Sequence, residues 1–291
     1  MATPRQIRSR IRVAKNIQQI TKAMKMVAAA RLRRAQEAVG ASRPYSEKMR
    51  EVMQSLGSNS KNVRHPLLRT PAGEPQNICV IVVTGDRGLC GSYNSAAIKL
   101  AVEALRPFGA DKSRIIAVGK KGAVFFRRRG YNIIGEHPIP ATGIPFTDAQ
   151  ALARTARDLF ESGEIDKVVV VYTKFISALS QKPTVTQLLP IESLGTGAAP
   201  VVNGPQADII FEPDAEELLG ALLPRYIDTL VYQALLESVA SELGARMTSM
   251  SSATDNAGKM ISGLTLSLNR ARQASITKEI AEIVGGAEAL K

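Results

Sequence analysis

Apolar positions near the carboxyl end follow one unbroken spacing. The chain steps through Leu222, Tyr226, Thr229, Gln233, Leu236, Ala240, Leu243, Met247, Met250, Thr254, Ala257, Ile261, Leu264, Leu268 and Ala271, alternately four and three residues apart. That is the spacing of a coiled-coil seam. At 1.5 Å per residue, a helix carrying it is about 75 Å long. A compact domain of this chain length has a radius of gyration of only about 19 Å. The seam therefore predicts a rod reaching beyond any globular body. At the amino end Val13, Ile17, Ile20, Met24 and Val27 repeat the spacing, and the stripe then drifts to Ala28, Leu32, Ala35 and Val39. A 3.6-residue helix drifts in this way against a 3.5-residue repeat. The two ends are expected to pair as one antiparallel coiled coil. Gly40 and Pro44 are the first expected breaks in the amino helix, which can resume through Tyr45 to Leu56.

The middle of the chain has a different rhythm. Asn77–Thr84 (NICVIVVT) is a continuous β-branched run, the pattern of a strand buried on both faces. A glycine-rich turn, Gly85–Gly91, leads into a helical stretch over Ser92–Leu105. Arg114–Val118 reads as a second strand, Lys120–Arg129 as a basic helix closed by Gly130, and Ile133–Ile134 as part of a third strand. Thr147 or Asp148 can cap a helix running to Gly163, because a short oxygen-bearing side chain satisfies free amides there. Lys167–Phe175 is a strong strand and Pro183–Leu189 a weaker edge strand. Strands alternating with helices imply a mostly parallel, right-handed sheet. The expected fold class is α/β: a Rossmann-like domain combined with the long coiled coil. The expected organisation is a coiled-coil helix over 1–56, a linker over 57–76, the α/β domain over 77–193, a linker over 194–211 and a second coiled-coil helix over 212–291. Pro224 falls inside the last of these and is expected to kink or restart it.

Charge narrows the partners. The chain carries a formal +12, and the amino helix holds ten cations from Arg5 to Arg34 with no acid before Glu37. Such a cluster seeks an acidic protein collar, an anionic membrane surface or nucleic acid. The absence of Trp and scarcity of other aromatics argue against a base-stacking platform. No run of about 18 apolar residues marks a membrane span. Cys79 and Cys90 are too few for a disulfide scaffold, and His65 and His137 have no cysteine cluster beside them to make a zinc site.

The turn Thr84–Asn94 (TGDRGLCGSYN) joins a strand to a helix, where nucleotides often bind, but its glycines stand at 85, 88 and 91 with no lysine after the last. Neither a phosphate-binding loop nor a dinucleotide fingerprint has that spacing. Gly119-Lys120-Lys121-Gly122 matches neither motif. Cys90 beside Arg87 is expected to be somewhat reactive, without a base to make it a nucleophile. No carboxylate pair or Ser/His/Asp set has a reason to converge. The residues leave three readings: a scaffolding rod, a basic coiled-coil protein binding nucleic acid or anionic membrane, and a Rossmann-like enzyme binding a mononucleotide.

Four segments in order decide among them: Ile7–Ala30 (IRSRIRVAKNIQQITKAMKMVAAA), Arg43–Tyr45 (RPY), Thr84–Asn94 and Ala271–Glu282 (ARQASITKEIAE). Over nearly its whole length the chain resembles the gamma subunits of F-type ATP synthases. The resemblance implies a non-catalytic central shaft with no cofactor and no bound nucleotide. One copy would stand in a ring of three alpha and three beta subunits, with an epsilon subunit and the membrane c-ring at its foot. Rotation would couple proton flow to ATP synthesis or hydrolysis, at the cytoplasmic face of a bacterial inner membrane.

The resemblance also carries roles to single positions. Arg272 and Gln273 match a catch reaching a loop of one catalytic subunit, and Met24 matches the position facing the acidic lever segment of a catalytic subunit. Arg246, Thr277 and Glu279 match positions that couple the two helices. Arg87 and Cys90 match a loop near the acidic collar, and Ile276 to Leu290, including Ile280, match a segment held in an apolar bearing. The small residues of Met247–Gly263 then read as a thin, smooth shaft rather than a broken helix. The inserted cysteine pair of chloroplast relatives is lacking, so no thiol switch is expected.

Overall fold

The computed structural model describes residues 3–59, 65–69, 73–140, 143–191 and 215–289. All of the expected second linker, 194–211, and part of the first lie outside the described residues. Among the described residues five α-helices and five strands follow in the order α1 (Pro4–Asn59), β1 (Ile78–Val83), α2 (Tyr93–Leu105), β2 (Ser113–Val118), α3 (Lys120–Arg127), β3 (Asn132–His137), α4 (Phe146–Glu161), β4 (Lys167–Phe175), β5 (Gln181–Leu189) and α5 (Ala215–Ala289), with a short 3-10 turn at Pro66–Leu68 before β1. The residues group into two units. One joins Met1–Ala29 to Arg246–Lys291, and the other spans Ala30–Ala245.

The larger unit is a five-stranded sheet in the order β3-β2-β1-β4-β5. All pairs are parallel except β4 with β5, which is antiparallel and places β5 at the edge. The run Ile78–Val83 is buried throughout because both faces are covered. Ile78, Val80 and Val82 pack with Ile98, Leu105 and Phe126 of α2 and α3. Cys79, Ile81 and Val83 point the other way, into a core with α4, Met49 and Met53 of α1, and Leu219, Leu223, Ile227 and Leu235 of α5. Burial pushes the Cys79 thiol up to about 12, against a smaller opposing pull from Arg114.

Neither long helix is interrupted where the sequence suggested it. Helix α1 continues through Gly40 and Pro44, and α5 through Pro224. A proline inside a helix removes one hydrogen bond and crowds the preceding turn. Here the following turns are anchored: Ser46, Met49 and Met53 are buried after Pro44, and Tyr226 and Ile227 after Pro224. Tertiary packing outweighs the local penalty. The cap foreseen for α4 is also replaced. Pro145 occupies the N-cap without a side-chain bond, and Asp148 lies in the first turn, where its charge favours the helix dipole.

The smaller unit is an antiparallel helix pair. Thr21 Oγ1 lies 2.8 Å from Thr254 Oγ1, and Lys25 Nζ donates to Ser251 Oγ at 3.0 Å. A Cβ on Gly258 would sit 3.1 Å from Gln18 Nε2. This register brings Ala271 opposite the first turn of α1. The carboxyl seam is seated as its spacing requires: Met250 and Ala257 are buried, and Thr254, Ile261, Leu264, Leu268 and Ala271 are half-buried. Past Ala271, where the partner helix has ended, every residue to 287 is exposed.

The amino stripe needs correction. The face turned inward is Ile7, Ala14, Thr21 and Ala28, all buried, with Ile11, Gln18 and Met24 half-buried beside them. Val13, Ile17, Ile20 and Val27 are instead 48–59% exposed. Small side chains let two helices approach closely, so the seam takes Ala14 and Thr21 and turns the larger residues outward.

Candidate functional site

The turn after β1 is held by its own side chains. Thr84 Oγ1 accepts from Gly122 N at 2.9 Å and lies 3.0 Å from Val118 O. Gly85 N donates to Asn94 Oδ1 at 2.7 Å, and Asn94 Nδ2 donates to Arg87 O at 3.2 Å and to Cys90 Sγ at 3.2 Å. Asp86 Oδ1 accepts from Lys120 N at 2.9 Å, so a carboxylate of this chain caps the start of α3. In nucleotide-binding relatives of such folds a phosphate meets a helix N-terminus. Gly119 comes so close to the turn that an added Cβ would lie 2.0 Å from Thr84 O, and its φ is +87°.

This arrangement sorts the loop residues. Arg87 is exposed. Cys90 is 1% exposed, with its thiol toward Arg87 O at 3.8 Å. The reactivity expected from the neighbouring arginine is therefore overturned by burial. Sequence reasoning missed Leu89, which stands 61% exposed at the loop tip with φ +63°. A left-handed conformation is uncommon for a bulky residue and collects at functional sites. The glycines on either side of Leu89-Cys90 were the available signal.

The remaining candidate positions lie on the helix pair and do not converge on a pocket. Met24 and Arg246 are half-buried. Arg272, Gln273, Ile276, Thr277, Glu279 and Ile280 are all exposed on the stretch of α5 that runs past α1. Within it Thr277 Oγ1 donates to Gln273 O at 2.9 Å, and Ser275 Oγ to Glu279 Oε1 at 3.1 Å. Both bonds are internal to the helix. Ile276, Ile280, Ile283 and Val284 expose 48–71% of their surface. Together with Val13, Ile17, Ile20 and Val27 they give the pair apolar surface on the outside as well as at the seam. Among the described residues no helix is long and apolar enough to cross a membrane, and no group of three or more His, Cys, Asp or Glu could hold a metal ion.

The chain combines an antiparallel helix pair with outward apolar rows and a doubly wound α/β domain. Residues 3–290 match the family described as ATP synthase. The ATP synthase gamma chain of Desulforamulus reducens is 47% identical over 291 residues, covering all of both chains. That of Desulfitobacterium hafniense is 48% identical over 292 residues, again with full coverage of each. A central-stalk chain of the Tetrahymena thermophila mitochondrial ATP synthase superposes with a TM-score of 0.60 at 25% identity, over 80% of this chain and 99% of that one. A chain of the Euglena gracilis mitochondrial enzyme shares the fold, with a TM-score of 0.70 at 20% identity over 99% and 94%. The chain belongs to the ATP synthase gamma-chain family, whose members form the central stalk rotor of F-type ATP synthases.

Proposed function

We propose that this chain is a non-catalytic shaft, present once per complex inside a ring of three alpha and three beta subunits. Its foot binds an epsilon subunit and the c-ring at the cytoplasmic face of a bacterial inner membrane. The observation that carries this reading is the outward apolar row on both helices, Val13, Ile17, Ile20 and Val27 on one and Ile276, Ile280, Ile283 and Val284 on the other. A soluble rod exposing such rows needs a sleeve, and a smooth apolar lining permits turning because it offers no directional bond to break. Full-length bacterial relatives at 47–48% identity support the bacterial setting.

In this reading Arg272 and Gln273 are the catch: a guanidinium fork suits a carboxylate on one catalytic subunit. Met24 slides past the acidic lever, and Ile276 and Ile280 ride in the bearing. Arg246, Thr277 and Glu279 tune how the helices pass torque. Arg87 meets the acidic collar, with Leu89 beside it and Cys90 holding the loop from within. Neither ATP nor ADP binds this chain; it acts by contacts that differ between the states of its partners.

Reconstitution tests the proposal. Mixing the chain with alpha and beta subunits of the same organism should give one copy per hexamer, and multisite ATPase that appears only in its presence. Salt-sensitive binding to DNA or to anionic vesicles, with no such complex, would favour the basic coiled-coil reading instead.

A further inference from the structure

Strand β4 outruns β1. The two are paired as far as Val82 and Val171, while β4 continues to Phe175. Thr173, two residues past the last pair, has no β1 backbone beside it. Helix α5 supplies the missing partners. Thr173 N donates to Ser238 Oγ at 3.4 Å, and Ser241 Oγ donates to Thr173 O at 2.9 Å. Ser238 and Ser241 are three residues apart and so share a helix face. Both are fully buried, and Thr173 nearly so. The same Ser238 hydroxyl lies 2.8 Å from the phenol oxygen of Tyr93, the first residue of α2. One turn further on, Glu242 stands over the β1–α2 turn, where a Cβ on Gly85 would lie 2.6 Å from its Oε1.

The place these residues occupy has a known use in other folds. With the strand order β3-β2-β1-β4-β5, connections leave β1 to one side and β4 lies on the other. In doubly wound sheets the crevice at the carboxyl ends of two such strands is where ligands bind. Here Ser238, Ser241 and Glu242 fill it, and Asp86 caps the neighbouring α3.

We infer that the α5 turn Ser238–Glu242 is a built-in occupant of this crevice, and that Ser238 and Ser241 are positioning residues locking the shaft helix to the α/β domain against torque. The inference rests on the rotor function stated above. Apolar contacts between a helix and a sheet resist separation, but they give little resistance to a small roll or slide, because they have no preferred direction. Two hydrogen bonds to the amide and carbonyl of one residue fix both rotation and axial position. A slip of one residue along α5 moves each hydroxyl by about 1.5 Å and turns it by about 100°, which breaks both bonds.

The test uses the complete membrane complex carrying Ser238→Ala/Ser241→Ala. ATP hydrolysis and ATP-driven proton pumping are measured on the same vesicles, with Leu235→Ala as a control. Leu235 is buried on the same helix, so its truncation weakens packing without touching the lock. The expected result is a fall of about threefold or more in protons pumped per ATP for the double serine variant, and an unchanged ratio for Leu235→Ala. If both variants keep the parental ratio, or lose it equally, the serines only pack and the lock is overturned. On the isolated chain, hydrogen exchange of the Thr173 amide should accelerate about tenfold or more in Ser238→Ala, while Val171 stays protected. Unchanged exchange at Thr173 would also overturn it. Failure of the unmodified chain to support any ATPase in its complex would count against the rotor reading itself, a separate outcome.

Discussion

Thr21 and Thr254 meet hydroxyl to hydroxyl across the helix pair, 2.8 Å apart. Each also reaches a carbonyl of its own helix, Thr21 toward Ile17 O at 3.0 Å and Thr254 toward Met250 O at 2.7 Å. A polar pair in the seam favours this register, because any other alignment loses the bond across the helices and leaves each hydroxyl only its own-helix carbonyl. The neighbouring bond from Lys25 to Ser251 is tied to the same alignment.

A double-mutant cycle follows from this pair. Removing one hydroxyl loses the bond across the pair and leaves the other only its own-helix carbonyl, whereas replacing both by a group of the same shape costs little. Thr254→Val should destabilise the purified chain by about 1 kcal/mol, and Thr21→Val/Thr254→Val should recover most of that. Thermal unfolding of the four proteins measures the coupling. Additive losses would mean that the two hydroxyls do not depend on each other.

The ion pair between Asp228 and Arg157 predicts a pH effect. Arg157 Nη1 lies 3.1 Å from Asp228 Oδ1, with both side chains largely buried. Burial raises the Asp228 carboxyl above its ordinary 3.8, against lowering by Arg157 and by a hydrogen bond from Gln150. The folded state therefore holds this proton to higher pH than the unfolded state does, and this group's contribution to stability falls as pH rises through that window. Asparagine cannot titrate. Relative to the parent, Asp228→Asn should gain stability as pH rises from below 3.8 toward neutrality, read from urea midpoints. A relative loss over that range would show that the attraction of Arg157 dominates.

Gly119 sets a third expectation. A side chain there would meet Thr84 O at 2.0 Å, a backbone atom with no freedom to move aside, and the positive φ adds strain. Gly119→Ala should cost about 3 kcal/mol or more in chemical denaturation, as strained positions do. Gly88→Ala, where an added Cβ meets no atom within 4 Å, is the matched control and should change stability far less.

Arg272 should separate activity from stability. It is exposed and lies past the end of the helix pairing. Arg272→Ala is expected to slow turnover of the assembled complex several-fold while leaving the melting temperature of the isolated chain within about a degree, as for surface substitutions in general. A large loss of thermal stability would give the residue a packing role instead.

Much of the architecture was legible in the chain. β1 and β4 stood out because strands covered on both faces are unbroken β-branched runs, and Lys167–Phe175 matches its strand residue for residue. The α5 seam was legible because four–three spacing is a property of the helix itself. Arg272, Gln273 and Met24 came instead from motifs matched along the chain. Leu89 was not found, because a left-handed backbone at a loop tip leaves no periodic trace. Pro44 and Pro224 misled because their local cost is visible in sequence, while the buried neighbours that outweigh it are not.

The inward face of α1 shows where local pattern stops. Spacing alone established that the amino end is an amphipathic helix and that the carboxyl end matches it in period, since both follow from the geometry of one helix. Spacing could not say which stripe turns inward. Hydrophobicity favoured Val13, Ile17 and Ile20, but the helix pair seats Ile7, Ala14 and Thr21, because close approach depends on side-chain size and on the residue opposite. The same holds for Ser238 and Ser241. They read as ordinary polar interruptions in the sequence, and only the end of β1 beside Thr173 gives their hydroxyls something to bind.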